Sequence, residues 1–160
     1  SLLTYKGAER RLEIKGESRE YLIIDDYAHH PTEIKATLDA ARKIAEHKSY
    51  KRIIAVFQPH RFSRTKFLLD EFSESFEQAD YLIITDIYAA SEVPIAGVNA
   101  GNLYDKIKQK GKKNIEFVKR EDIVIRVLDI ATSGDLIITL GAGDIGKLTD
   151  ELSFRLVRKN

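Results

Sequence analysis

What most constrains this chain is the alternation of two kinds of segment. Short β-branched runs, apolar almost throughout, are separated by longer stretches of helical period. A strand that is apolar at nearly every position is buried on both faces, as in a parallel sheet covered by helices. The order of segments therefore predicts an α/β, Rossmann-like three-layer domain with a mostly parallel sheet of about six strands and helices on both faces. The parallel strands are expected at Tyr21–Asp25, Arg52–Phe57, Tyr81–Thr85, Asn114–Val118 and Leu136–Leu140. Arg11–Lys15 alternates with a period of two and predicts one N-terminal antiparallel or edge strand. Helices are expected at Thr32–Glu46, with Ile34, Leu38, Ala41 and Ala45 on one face, and at Thr65–Ala79, with Phe67, Leu68, Phe72, Phe76 and Ala79 on one face. Weaker helical patterns lie near Ala100–Lys110, Glu121–Ala131 and Ile145–Arg155.

Composition narrows the class of partner. The 160 residues carry 26 Lys and Arg against 25 Asp and Glu, a formal net charge of +1, so no global positive field draws in nucleic acid or an anionic membrane. Any anion site must be local. With no Cys, thiolate metal sites, thiol nucleophiles and disulfides are excluded, which suits a reducing, cytoplasmic setting. No stretch reads as a signal peptide or a membrane span. The chain also contains no Met, and we expect residues 1–160 to be one domain taken from a longer protein.

In an open parallel sheet, ligands bind beyond the carboxyl ends of the strands, and the segments there are distinctive. The first is Asp25-Asp26-Tyr27-Ala28-His29-His30-Pro31-Thr32 and the second Gln58-Pro59-His60-Arg61-Phe62-Ser63-Arg64-Thr65; together they hold three of the 4 histidines. In the first, an Asp can cap a turn and Thr32 can cap the following helix. That leaves Asp26 and His29 as candidate ligand residues. Carboxylate and imidazole also suit divalent ions, so a metal-dependent phosphohydrolase is an alternative. In the second, Arg61 and Arg64 lie three apart at the mouth of a helix, a spacing that lets two guanidinium groups converge on one carboxylate or phosphate. A stand-alone anion- or nucleotide-binding module would use the same clamp. Gly141-Ala142-Gly143-Asp144-Ile145-Gly146 satisfies G-x-G-x-x-G, but too little chain follows for the second strand of a dinucleotide fold. A tight turn capped by Asp144, or close backbone approach to a neighbour, remains. The loop from Asp86 to Pro94 is less legible: Tyr88 and Glu92 line the site or belong to a lid or interface.

Taken in order, Asp25–Ile34, Phe57–Thr65 and Gly141–Ile145, with Gly7–Arg11 ahead of the first strand, resemble the C-terminal domain of the Mur ligase family in its alanine-adding form. The resemblance covers essentially the whole chain. It implies one domain of a three-domain, ATP-dependent carboxylate–amine ligase of peptidoglycan synthesis, which joins L-alanine to UDP-N-acetylmuramate through an acyl phosphate. ATP with Mg2+ would be bound mainly by the central domain, and this sequence has no G-x-x-x-x-G-K-[ST] match. The isolated domain is expected to be inactive, its partners being the central and N-terminal domains of the same parent. By position, the resemblance assigns Arg11, Asp26 and His29 to the nucleotide and Arg61, Arg64, Tyr27 and His60 to L-alanine, with no catalytic residue and no metal ligand on this domain. A murein tripeptide-recycling ligase shares the theme of the first loop and is an alternative; the form of Phe57–Thr65 favours the alanine-adding type.

Overall fold

A computed structural model of the chain describes residues 10–158. The part of the resembling segment from Gly7 to Glu9 lies outside the described residues. Six strands, β1 (Glu13–Glu17), β2 (Tyr21–Asp26), β3 (Arg52–Phe57), β4 (Tyr81–Ile84), β5 (Ile115–Phe117) and β6 (Asp135–Leu140), form one sheet in the order β1-β2-β6-β3-β4-β5. Only β1 runs antiparallel, pairing with β2 across an irregularity between Ile14 and Gly16. Every other pair is parallel. The helices are α1 (Pro31–Lys48), α2 (Phe62–Phe67), α3 (Leu69–Ser73), α4 (Ala100–Gln109), α5 (Ile123–Ile130) and α6 (Gly146–Ser153), with a 3-10 turn before α5 and a π turn after α6.

Period-two alternation splits each parallel strand between two cores. Leu22 and Ile24, Ile53, Ala55 and Phe57, and Leu136, Ile138 and Leu140 pack with Ile34, Leu38 and Ala41 of α1, with Phe72 and Phe76, and with Leu103 of α4. Ile23, Ile54, Val56, Ile83 and Ile137 face the other way, onto Ile123 and Val127 of α5 and Leu152 of α6. This is the expected three-layer arrangement, and it explains the unbroken apolar strands. None of the described helices is long and apolar enough to cross a membrane.

Three details differ from the sequence reading. The opening strand runs Glu13–Glu17 rather than Arg11–Lys15. The helix expected over Thr65–Ala79 starts earlier, at Phe62, breaks at Leu68 (φ −109°, ψ 22°) and ends at Ser73. Ser73 Oγ donates to Asp70 O and Ser75 Oγ to Glu71 O, and such local side-chain bonds compete with helix continuation. Phe72 and Phe76 still reach Phe57, at ring distances of 5.6 and 5.1 Å, but Phe67, expected on the buried face, is 76% exposed. Thr32 is not the cap of α1: His30 holds the N-cap position with Pro31 following it. The Glu33 carboxylate reaches back to accept from the amides of His29 (3.2 Å) and His30 (3.1 Å).

Because β6 lies between β2 and β3, the glycine segment after β6 emerges between the loops that follow β2 and β3. The pairing of β3 with β4 also continues past the strand ends, as an isolated parallel bridge between His60 and Tyr88. The segments singled out in the sequence thus meet at one edge of the sheet.

Candidate functional site

The two neighbouring acids at the end of β2 leave on opposite faces, as strand geometry requires. Asp25, 1% exposed, accepts from Arg10 Nε (2.9 Å) and from Thr139 Oγ1 (2.8 Å). Asp26, also 1% exposed, accepts from the amides of Leu12 and Ala28, both at 2.8 Å, and from Thr37 Oγ1 at 3.1 Å. Asp26 was expected to contact a nucleotide. Here its three protein donors fix its own loop and the backbone next to Arg11. The Arg11 side chain is half exposed, 3.8 Å from Glu33. Asp25 and Asp26, which a phosphohydrolase would bring to one ion, serve separate networks. Among the described residues, no group of three His, Asp or Glu side chains is placed to share a metal.

The ion pair here with a buried carboxylate is Arg10–Asp25, which the sequence reading missed. Arg10 also donates to Gly141 O (2.8 Å) and Gly143 O (3.3 Å), and its guanidinium lies 5.2 Å from the centre of the Tyr27 ring. One side chain therefore ties the segment before β1, the loop after β2 and the glycine segment after β6. The glycines serve close approach. A Cβ at Gly141 (φ +150°) would lie 2.9 Å from Gln58 O, and one at Gly143 would lie 2.5 Å from the Tyr88 ring. Asp144 does not cap α6, whose N-cap position is Ile145. Its carboxylate accepts from Gln58 Nε2 (2.8 Å) and Arg120 Nε (3.0 Å), joining the loops after β3 and β6.

Aromatic rings connect the first three loops. Tyr27 and His29 meet edge to face at 5.1 Å, His29 and His60 at 5.6 Å, and His60 stacks on Tyr88 at 5.7 Å with 18° between the planes. Hydrogen bonds fix the imidazole tautomers. Arg64 Nη1 can only donate, so at 2.9 Å from His60 Nδ1 it makes that nitrogen an acceptor, and the proton of neutral His60 sits on Nε2. His29 Nδ1 faces the carbonyl of Tyr27 at 3.0 Å and carries the proton, leaving Nε2 with a lone pair. Burial pushes the His60 pKa down to about 4, with the Arg64 cation adding to it. Burial also lowers that of His29, again helped by Arg64. At neutral pH both rings are uncharged, and the positive charge here belongs to the arginines.

Arg61 occupies the N-cap position of α2 with φ 75° and ψ 142°, a backbone conformation unusual for a residue with a side chain. Its side chain is exposed, and among the described residues nothing hydrogen-bonds or ion-pairs with it. Arg64, one turn on, is partly committed: Nη1 bonds His60 Nδ1 and, at 3.0 Å, His60 O. The two larger surface depressions, about 870 Å³ beside Phe117 and Ile125 and about 490 Å³ between Thr65 and Lys106, contain none of His29, His60, Arg61 or Arg64. In the arginine–histidine cluster the Arg61 side chain faces solvent, while His29, His60 and Arg64 are half-buried. Glu92, whose role the sequence left open, accepts from the first amides of α2.

Comparison with known proteins gives this edge a context. The family profile described as Mur ligase, glutamate ligase domain matches residues 10–143. UDP-N-acetylmuramate–L-alanine ligase of Solibacter usitatus is 46% identical over 157 residues, covering 98% of this chain and 32% of that protein. The enzyme of the same name from Desulforapulum autotrophicum is 49% identical over 148 residues, covering 92% of the chain and 32% of the relative. The chain thus spans about a third of the length of these relatives. Among solved structures, UDP-N-acetylmuramate-alanine ligase from Thermotoga maritima superposes with a TM-score of 0.71 at 27% identity, covering 91% of this chain and 29% of that one. A ligase domain from Haemophilus ducreyi, solved by itself, gives 0.65 at 26% identity, with 92% of this chain and 100% of that one covered. With the family motifs now placed at one edge of the expected sheet, the chain belongs to the Mur ligase family, as its C-terminal domain.

Proposed function

We propose that this domain presents the amino acid in an ATP-dependent ligase that joins L-alanine to UDP-N-acetylmuramate. The observation that carries this reading is the placement of Arg61, exposed and without a side-chain hydrogen bond among the described residues, one turn from Arg64, oriented by His60, on a chain 46% identical to a ligase of that name. The carboxylate of L-alanine is the anion for which the two guanidinium groups are suited. His60, through its neutral ring and its carbonyl, takes Arg64 Nη1 and leaves Nε and Nη2 for the ligand. Holding the carboxylate orients the amine, so the contribution of this domain is positioning.

ATP, when bound, supplies the phosphoryl group that activates the muramyl carboxylate as an acyl phosphate, which the amine then attacks. The residues here that fit a nucleotide are Arg11 and His29, which stand at the rim of the same edge with unsatisfied donor or acceptor capacity. Asp26 holds the backbone beside Arg11 through the Leu12 amide. The P-loop and Mg2+ are assigned to the central domain of the parent, and the site is completed when that domain closes on this one.

The test is L-alanine-dependent ADP release by the full-length parent, supplied with UDP-N-acetylmuramate and ATP. Arg61→Ala and Arg64→Ala each remove a charged partner of a carboxylate, worth about 1.5–3 kcal/mol, or roughly ten- to a hundredfold in kcat/KM for alanine. The KM for ATP should stay near wild type. Alanine-dependent activity insensitive to both substitutions would remove the clamp from the site, and activity without alanine dependence would overturn the ligase reading.

A further inference from the structure

Arg61 owes its placement to a set of contacts from one loop, that between β4 and α4. The Arg61 amide donates to Tyr88 O at 2.8 Å, and the Tyr88 amide donates back to Pro59 O at 2.8 Å. The next two amides, Phe62 N and Ser63 N, both donate to Glu92 Oε1, at 2.5 and 3.0 Å. Ser63 Oγ donates to the other carboxylate oxygen. On the far side, Thr65 Oγ1 donates to Arg61 O at 2.9 Å. A residue with a side chain persists at φ 75° only where its surroundings over-determine it, and here the Arg61 amide and carbonyl and the next two amides are all tied.

Glu92 is aimed at this turn by strained backbone of its own. Ala90 and Ser91, at φ 50° and 68°, curl the chain so that the Glu92 amide donates to Ala89 O at 3.0 Å and the side chain points back to α2. The three donors hold the Glu92 carboxyl below its ordinary pKa, so it is ionised at neutral pH. An exposed carboxylate near an anion clamp would weaken that clamp by repelling the ligand. One saturated by three donors on the backbone side of Arg61 has its charge largely answered there, and its bonds fix the turn.

We infer that Glu92 is a positioning residue of the amino-acid clamp: it holds the start of α2 so that Arg61 keeps the strained conformation that presents its guanidinium. The inference rests on the clamp reading above. It assigns Glu92 no contact with substrate. Without the carboxylate, the first two amides of α2 lose their acceptor, Arg61 relaxes to negative φ, and its side chain leaves the line set by His60 and Arg64.

The experiment uses the full-length parent and reads KM and kcat separately for L-alanine, ATP and UDP-N-acetylmuramate. Glu92→Ala should raise the KM for L-alanine about tenfold, the scale of one charged hydrogen bond lost at the ligand. The kcat at saturating alanine and the other two KM values should change less than about twofold. Glu92→Gln should recover most of the loss, because its Oε1 still accepts from both amides and Ser63 Oγ can turn to accept from its amide nitrogen. In an Arg61→Ala background, Glu92→Ala should add almost nothing, since the group it positions is gone.

Equal losses with and without Arg61, a parallel rise in all three KM values, or no rescue by Gln would each overturn the inference. If Arg61→Ala raises the alanine KM and Glu92→Ala does not, the clamp stands and Glu92 has no part in it. If neither does, the clamp reading itself has failed.

Discussion

Replacing Arg10 with Met keeps the apolar stem of the side chain but removes the one cation that, among the described residues, is bonded to Asp25. The Asp25 side chain is 2% exposed and that of Arg10 23%, so the charge left behind lies in a site water barely reaches. Thr139 Oγ1 would remain as its donor at 2.8 Å. Breaking a buried pair from one side costs about 3–5 kcal/mol, against about 0–1 kcal/mol for an exposed pair. Two carbonyls, of Gly141 and Gly143, lose their donor as well. For a chain of this size, 1 kcal/mol corresponds to about 2–4 °C, so Arg10→Met should lower Tm by roughly 10 °C. Urea denaturation of the 160-residue chain, followed by circular dichroism, gives the free energy directly. The double variant Arg10→Met with Asp25→Asn should regain part of the loss, because it removes the stranded charge. A loss below about 1 kcal/mol, or a double variant no better than Arg10→Met alone, would show that the pair behaves as a solvated surface contact and refute the argument.

Two further outcomes follow from the same edge. His60 should stay neutral in the folded chain to about pH 4, with its proton on Nε2. Because its folded pKa lies below the unfolded value of 6.5, its contribution to stability is complete above pH 6.5 and is lost as pH falls toward 4. Nitrogen-15 NMR of the imidazole reads both tautomer and titration, and a midpoint near 6.5 would contradict the Arg64 contact. Gly143→Ala places a methyl 2.5 Å from the Tyr88 ring and 2.6 Å from Gln58 Oε1, so these neighbours must move. It should destabilise the chain by about 1–3 kcal/mol and, through the Tyr88–Arg61 hydrogen bond, raise the alanine KM of the parent; unchanged values of both would show that the loop accommodates the methyl freely.

The sheet was legible because its chemistry repeats: β-branched runs buried on both faces specify parallel strands, and their alternation divides Ile23 from Leu22 and Ile24 without further information. The loops were legible as a set for the same reason, since strand ends gather whatever follows them. Single residues within doublets were not. Arg10 and Arg11, like Asp25 and Asp26, are adjacent and chemically equal, and which member faces the partner depends on the path of the segment before β1. Period two does separate the acids, placing Asp25 with Ile23 and Asp26 with Ile24, and that signal was available. The break at Leu68 was hidden because Phe72 and Phe76 remain buried whether or not the helix is continuous. Glu92 was invisible as a partner of α2, since its bonds depend on the left-handed turn at Ala90 and Ser91, two residues without the usual sequence preference for that conformation.

The position of β6 sets an order on assembly. Among the described strands of the sheet, the last in chain order lies between β2 and β3, and without it those two strands do not pair. Locally formed units such as β2 with α1, or β3 with β4, can collapse early, but the sheet stays in two halves until residues 135–140 enter between them. That entry brings together groups separated by most of the chain: Thr139 with Asp25, Asp144 with Gln58, and the glycine carbonyls with Arg10. Non-local closure of this kind is slow relative to helix formation. A nascent or truncated chain ending before β6 would therefore hold the arginine loop against Tyr88 and Glu92 but lack the glycine segment that joins that loop to Arg10 and Asp25.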